Sequence, residues 1–151
     1  MNLGENLLRG VYAYGFEDPS EIQKRTIPVF SSGRDMIAQA HSGSGKTGAF
    51  SIGGLNNLKE ELLKTQCIIL SPTRELAEQT HTFIKEISSY TKITSEKLVG
   101  GTNVRECQQA LEKNPHVIIG TPGRVTDMLR RKCLYTDGIT TFIIDEADEM
   151  L

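Results

Sequence analysis

Three short runs of branched apolar residues constrain this chain most: Cys67-Ile68-Ile69-Leu70, Val117-Ile118-Ile119 and Phe142-Ile143-Ile144. Each is too short for a buried helix and lacks an apolar–polar alternation, so each reads as a strand covered on both faces. A weaker strand candidate lies at Ser95 to Val99. Helical periodicity fills the gaps, over about 74–90, 104–113 and 123–132. Strand and helix in alternation predict an α/β fold, a doubly wound parallel sheet. Upstream, Leu3, Leu7, Leu8 and Val11 recur at helical spacing, with Asn2 placed to cap that helix and Gly15 to end it. Pro19-Ser20 opens a second helix that stops near Pro28, and a strand is expected at 35–40.

The 151 residues suit one domain with one core. Apolar residues at 38% and charged residues at 24% exclude a disordered chain. No apolar run approaches the roughly 20 residues that span a bilayer, so no membrane role is expected. The three cysteines, Cys67, Cys107 and Cys133, are odd in number and lack metal-ligand spacing, which predicts free thiols in a reducing compartment. A formal charge of −2 gives no global footprint for nucleic acid, so any such partner must use a local patch.

After the 35–40 strand comes Ala40-His41-Ser42-Gly43-Ser44-Gly45-Lys46-Thr47, which then opens a helix expected to run through roughly Leu63. This is the pattern of a phosphate-binding loop. Gly43 and Gly45 let the backbone curl so that successive N–H groups point inward. The helix adds its positive dipole end, Lys46 a cation for the β- and γ-phosphates, and Thr47 a hydroxyl for magnesium. About 100 residues on, the strand 142–144 ends in Asp145-Glu146-Ala147-Asp148. Asp145 is placed to hold the metal, partly through water, and Glu146 to orient or deprotonate an attacking water. Taken alone, acidic residues here could simply open a solvated helix. Together the two runs point to ATP or another nucleoside triphosphate bound with Mg2+ and hydrolysed.

From about Leu7 to Leu151 the chain resembles the DEAD-box RNA helicases, and within them the eukaryotic translation initiation factor 4A group. Six motifs fall in the family's order. Gly15-Phe16, Pro19 and Ile22-Gln23 match the Q motif, and the phosphate loop follows. Pro72-Thr73-Arg74-Glu75-Leu76-Ala77 matches motif Ia, Gly100-Gly101 the glycine pair, Thr121-Pro122-Gly123-Arg124 motif Ib, and 145–148 the naming tetrad. The resemblance implies a RecA-like phosphate-loop domain and RNA-stimulated ATP hydrolysis with local RNA unwinding. It also implies a cytoplasmic protein (nuclear in some relatives) active in translation initiation or related messenger-RNA metabolism, with a scaffold protein as partner.

The implied roles agree with the chemistry of the residues. The Gln23 amide offers both a donor and an acceptor to adenine. Phe16 either packs on the base or fills the core between two helices. Pro72 to Glu75 and Thr121 to Arg124 each bring free N–H groups, a hydroxyl and a guanidinium to a helix start, which suits the phosphates of single-stranded RNA. On composition alone, ordinary helix capping explains both segments, and the resemblance shifts that reading toward RNA. Gly101 would let a sugar-phosphate strand approach the backbone. His81 and His116 read as surface or packing residues, and Arg130-Arg131-Lys132 as a dipole-favoured helix end.

The family's core has two RecA-like domains, and 1–151 corresponds to part of the first. The Ser-Ala-Thr motif, with which Asp148 communicates, and its strand, which lies between the phosphate-loop strand and the acidic strand, are not in these residues. The expectation is therefore a partial domain that binds ATP weakly and unwinds nothing alone. The alternative is a non-catalytic module that binds RNA or a helicase partner. A small phosphate-loop kinase is disfavoured, because no acceptor-substrate pocket or lid is signalled.

Overall fold

The computed structural model describes residues 4–15 and 46–145, excepting the side chains of Lys46, Thr47 and Ala49. The helix expected after Pro19 and the strand expected at 35–40 lie outside these residues. In chain order the elements are α1 (Glu5–Tyr14), α2 (Lys46–Asn56), β1 (Cys67–Leu70), α3 (Arg74–Ile87), β2 (Ser95–Leu98), α4 (Val104–Glu112), β3 (Val117–Gly120), α5 (Pro122–Arg130) and β4 (Thr141–Ile144). All four strands form one parallel sheet in the order β2-β3-β1-β4. The alternation of strand and helix predicts this arrangement, and among the described residues the weak candidate at Ser95 is the strand at one end of the order.

Side-chain alternation along the strands divides the core in two. Cys67, Ile69, Val117, Ile119 and Ile143 meet α1, α2 and α3 through Leu7, Val11, Ile52, Leu55, Ala77, Phe83, Ile84 and Ile87. Ile68 and Ile118 face the other way, onto Cys107 and Leu111 of α4, Val125 and Met128 of α5, and Leu134. Helices thus cover both faces, the doubly wound arrangement. Each fully buried aliphatic side chain contributes about 1.5–3 kcal/mol relative to exposure. β4 departs from the expectation of a strand covered on both faces. Ile143 is buried, but Phe142 is 57% and Ile144 49% exposed. Among the described residues, α4 and α5 cover the second face over β2, β3 and β1 and leave that face of β4 open.

Two helix boundaries differ from the periodicity. α1 starts at Glu5 with Gly4 as its N-cap, so Asn2 is not the cap. Gly15 ends it in the left-handed conformation (φ 111°), as expected. α2 stops at Asn56 rather than near Leu63. The Gly53-Gly54 pair weakens its last turns. The buried Gln66 amide then competes for the backbone: its Nε2 donates to the carbonyls of Lys59 and Leu62, and its Oε1 accepts from the Lys59 N–H, each at 2.9 Å. That side chain folds the 57–64 segment into an irregular turn before β1.

His81 and His116 are structural. The His116 ring is buried, its Nδ1 accepting from the Thr94 N–H at 3.0 Å and its Nε2 facing the Glu60 carbonyl at 2.9 Å. The Nε2 therefore carries the proton. The half-buried His81 donates through Nε2 to the Ser95 carbonyl at 3.3 Å. Desolvation holds its pKa below the ordinary 6.5, a direction that Lys85 and Lys97 reinforce while the Ser95 carbonyl and Glu96 oppose it. The three cysteines are free, and burial pushes the Cys67 thiol up to about 12.

Two outcomes test this packing. α1 lies so close to α3 that a Cβ at Gly10 would fall inside the Ile87 carbonyl group. Gly10→Ala should therefore lower the free energy of urea unfolding by about 1–3 kcal/mol or more, against any gain in helix propensity. Because the folded state disfavours His81 protonation, the unfolded chain binds more protons below the ordinary value, and stability should fall as pH drops through that range. Between about pH 8 and pH 5, the thermal midpoint of the wild type should fall further than that of His81→Gln.

Candidate nucleic-acid interface

The strand register assembles the site. Leu70 is level with Gly120 on one side and Ile144 on the other, and Gly120 is level with Leu98. All four strands therefore finish together, and the residues that follow them share the C-terminal edge of the sheet. That edge is where open α/β sheets bind ligands. It receives Pro72 to Glu75 after β1, Gly100 and Gly101 after β2, Thr121 to Arg124 after β3, and Asp145 after β4.

After β1, Thr73 caps α3, its Oγ1 accepting from the Leu76 N–H at 3.2 Å. Thr73, Arg74 and Glu75 are exposed, so the free N–H groups of this helix start face solvent beside a guanidinium. The Arg74 Nε donates to Glu78 at 3.2 Å, and Lys97 from β2's end reaches the same carboxylate at 3.4 Å. These two cations hold the exposed Glu78 carboxyl below its usual range, the hydrogen bond from Arg74 first.

After β3, Thr121 occupies the N-cap position of α5 with Pro122 behind it. Its hydroxyl does not cap the helix. It accepts instead from the Gly100 N–H at 3.3 Å, tying the glycine pair to motif Ib. Gly101 takes φ 83°, and a Cβ there would stand 3.0 Å from an Arg74 guanidinium nitrogen. The left-handed backbone favours glycine at this point. Gly120 allows the close seating of α5, since a Cβ would meet the Leu98 carbonyl oxygen at 2.5 Å and Val125 at 2.6 Å.

Arg124 turns back into this turn. Its Nη2 donates to the Thr102 carbonyl at 3.0 Å, and its Nη1 lies 3.4 Å from Thr102 Oγ1 and 3.3 Å from the buried Cys107 sulfur. Thr102 Oγ1 also donates to the Val99 carbonyl at 2.7 Å. Thr102 and Cys107 are thus part of the site, although only Thr102's place after the glycine pair marks either of them in the sequence. Gly123 is exposed, with open space around it.

Asp145 follows β4, its N–H donating to the Leu70 carbonyl at 2.8 Å, and it is 4% exposed. The buried hydroxyl of Ser71, just after β1, has no hydrogen-bond partner among the described residues. A buried carboxylate at a strand end is a hard oxygen donor, the type that suits a divalent cation. α2 begins at Lys46. Phe16, Gln23, the loop residues Ala40 to Gly45, and Glu146 lie outside the described residues, as do the side chains of Lys46 and Thr47. Among the described residues no helix is long and apolar enough to cross a membrane, and no group of three or more His, Cys, Asp or Glu side chains gathers as a metal site.

Comparison with known proteins gives the family. The chain is 54% identical over all 151 residues to eukaryotic initiation factor 4A-9 of Nicotiana tabacum, and covers 37% of that protein. Dbp5 of S. cerevisiae, solved bound to RNA and ADP BeF3, superposes with a TM-score of 0.90 at 43% identity over 99% of this chain and 38% of Dbp5. A DEAD box protein from the hyperthermophile Methanococcus jannaschii gives a TM-score of 0.93 at 38% identity, over 99% of this chain and 41% of that one. The chain thus spans about two fifths of the length of the relatives it matches. Residues 20–151 match the family model for the DEAD/DEAH box helicases, and the chain belongs to that family.

Proposed function

We propose that this chain is the nucleotide-binding part of an ATP-dependent RNA helicase of the initiation factor 4A type, and that its sheet edge holds the backbone of single-stranded RNA. The observation that carries this reading is the convergence of the α3 start, the Gly100-Gly101 turn and the α5 start beside Asp145. Two helix N-termini, exposed at Thr73 to Glu75 and at Gly123, with guanidinium groups beside them suit phosphate rather than base edges. The factor 4A relatives, the RNA-bound Dbp5 and the order of the sequence motifs support the same reading.

ATP would lie at the start of α2, against the amides of 40–45 and the Lys46 ammonium, with the Gln23 amide on adenine and Phe16 beside it. Thr47 and Asp145 are the residues suited to Mg2+, and the ion would supply charge neutralisation at the phosphate oxygens. Glu146, next in the chain to Asp145, is suited to orient an attacking water. Residues 1–151 correspond in this reading to part of the first of two RecA-like domains. The second domain would close the cleft over ATP and RNA, and strand separation belongs to the two together. A scaffold protein is the expected partner, and the cytoplasm the expected compartment.

Two outcomes test the proposal in the full-length protein. Lys46→Ala and Glu146→Gln should each reduce RNA-stimulated ATP turnover by about 10²-fold or more, the scale of losing a phosphate ligand or a water-orienting base. Undiminished turnover in both would refute the site. Thr121→Val frees the Gly100 N–H and should weaken single-stranded RNA binding several-fold, while Thr121→Ser, which keeps the acceptor, should bind nearly as the wild type in fluorescence anisotropy.

A further inference from the structure

Among the described residues, the buried hydroxyls of Ser51 on α2 and Ser71 just after β1 have no hydrogen-bond partner. The two residues are 1% and 0% exposed. A buried hydroxyl left unpaired destabilises the folded chain, so its surroundings call for an explanation. For Ser71, register and side-chain alternation supply one.

The ladder runs one residue beyond the strands. The Ser71 N–H donates to the Gly120 carbonyl at 2.9 Å, and the Asp145 N–H to the Leu70 carbonyl at 2.8 Å. Leu70 is level with Ile144, so Ser71 stands level with Asp145 on the neighbouring strand. Cys67, Ile69 and Ile143 face the cluster to which α2 contributes Phe50, Ile52 and Leu55. Two residues beyond Ile69 and Ile143, Ser71 and Asp145 return to that face. The orphaned hydroxyl therefore belongs beside the carboxylate that follows β4, on the side of the sheet covered by the helix that opens at Lys46. A divalent cation bound to a carboxylate commonly keeps several of its waters, and groups beyond its direct ligands orient what it holds. A hydroxyl has the lone pairs to accept from such a water.

We propose that Ser71 is a positioning residue for a divalent cation at Asp145, its hydroxyl accepting a hydrogen bond from a water that the cation holds. Ser71 acts through that water and is not itself a ligand. The inference rests on the Mg2+ reading above and extends it to a residue outside the recognised motifs. Ser51 provides the contrast: it is equally buried and orphaned, but lies about 7 Å along α2 from Lys46.

The test measures the affinity of the full-length protein for a fluorescent ADP across a Mg2+ titration and in EDTA. Ser71→Ala should raise the Mg2+ concentration at half-effect about 10-fold, the scale of losing a group that supports a metal site. Its affinity in EDTA should match the wild type. Its melting temperature in EDTA should be equal or higher, because an unpaired buried hydroxyl is removed. Ser51→Ala should show the same melting behaviour with a wild-type Mg2+ dependence. An unchanged Mg2+ dependence in Ser71→Ala, or an equal shift in Ser51→Ala, would overturn the inference. So would a lower melting temperature for Ser71→Ala, which would reveal a structural partner for the hydroxyl. Asp145→Asn judges the Mg2+ reading separately: it should weaken the Mg2+ dependence, and no effect there would overturn that reading and the inference with it.

Discussion

The in-register parallel pairing of β1 between β3 and β4 is the constraint on which the rest depends. Because Leu70, Gly120 and Ile144 are level, three segments separated by tens of residues leave the sheet at one edge. A one-residue slip would turn every side chain of a strand to the opposite face, and Ile68 and Ile69 would exchange cores. The two apolar clusters make such a slip costly, since each strand is buried against helices on both sides along β1 and β3. The packing that stabilises the fold therefore also positions the polar edge.

Under the proposed function, that edge would reconcile an acidic chain with a polyanionic ligand. Affinity for a nucleic-acid backbone depends on local cations and aligned N–H groups rather than on total charge. In that reading the two helix starts contribute N–H groups and Arg74 and Arg124 guanidinium groups, while Glu78 pairs with both Arg74 and Lys97. Gly101 and Gly120 are the positions where a side chain would break this geometry, one through its backbone angle and one through contact with Leu98 and Val125.

Much of this was legible in the residues because the local signals agree with the tertiary ones. The branched runs at 67–70 and 117–119 are strands because only a covered sheet accommodates them, and Thr73 caps a helix as its type favours. What was not legible depends on long-range contact. α2 ends early because the Gln66 side chain, ten residues beyond it, takes the carbonyls of Lys59 and Leu62. Phe142 and Ile144 have the pattern of a buried strand, but burial depends on what packs beside it. Gly10 looks like a weak point in a helix and is a contact point with Ile87. The direction of Arg124 is likewise invisible in motif Ib itself, since its acceptors come from the turn after β2 and from α4.

The central claim is that segments 73–76, 100–102 and 121–125 act as one surface for an RNA backbone. Amide hydrogen exchange of the full-length protein, with and without single-stranded RNA and a non-hydrolysable ATP analogue, tests it most directly. The account predicts that all three segments slow together when both ligands are present. Unchanged exchange there, or protection confined to 63–65 and 133–137 at the opposite edge of the sheet, would contradict it.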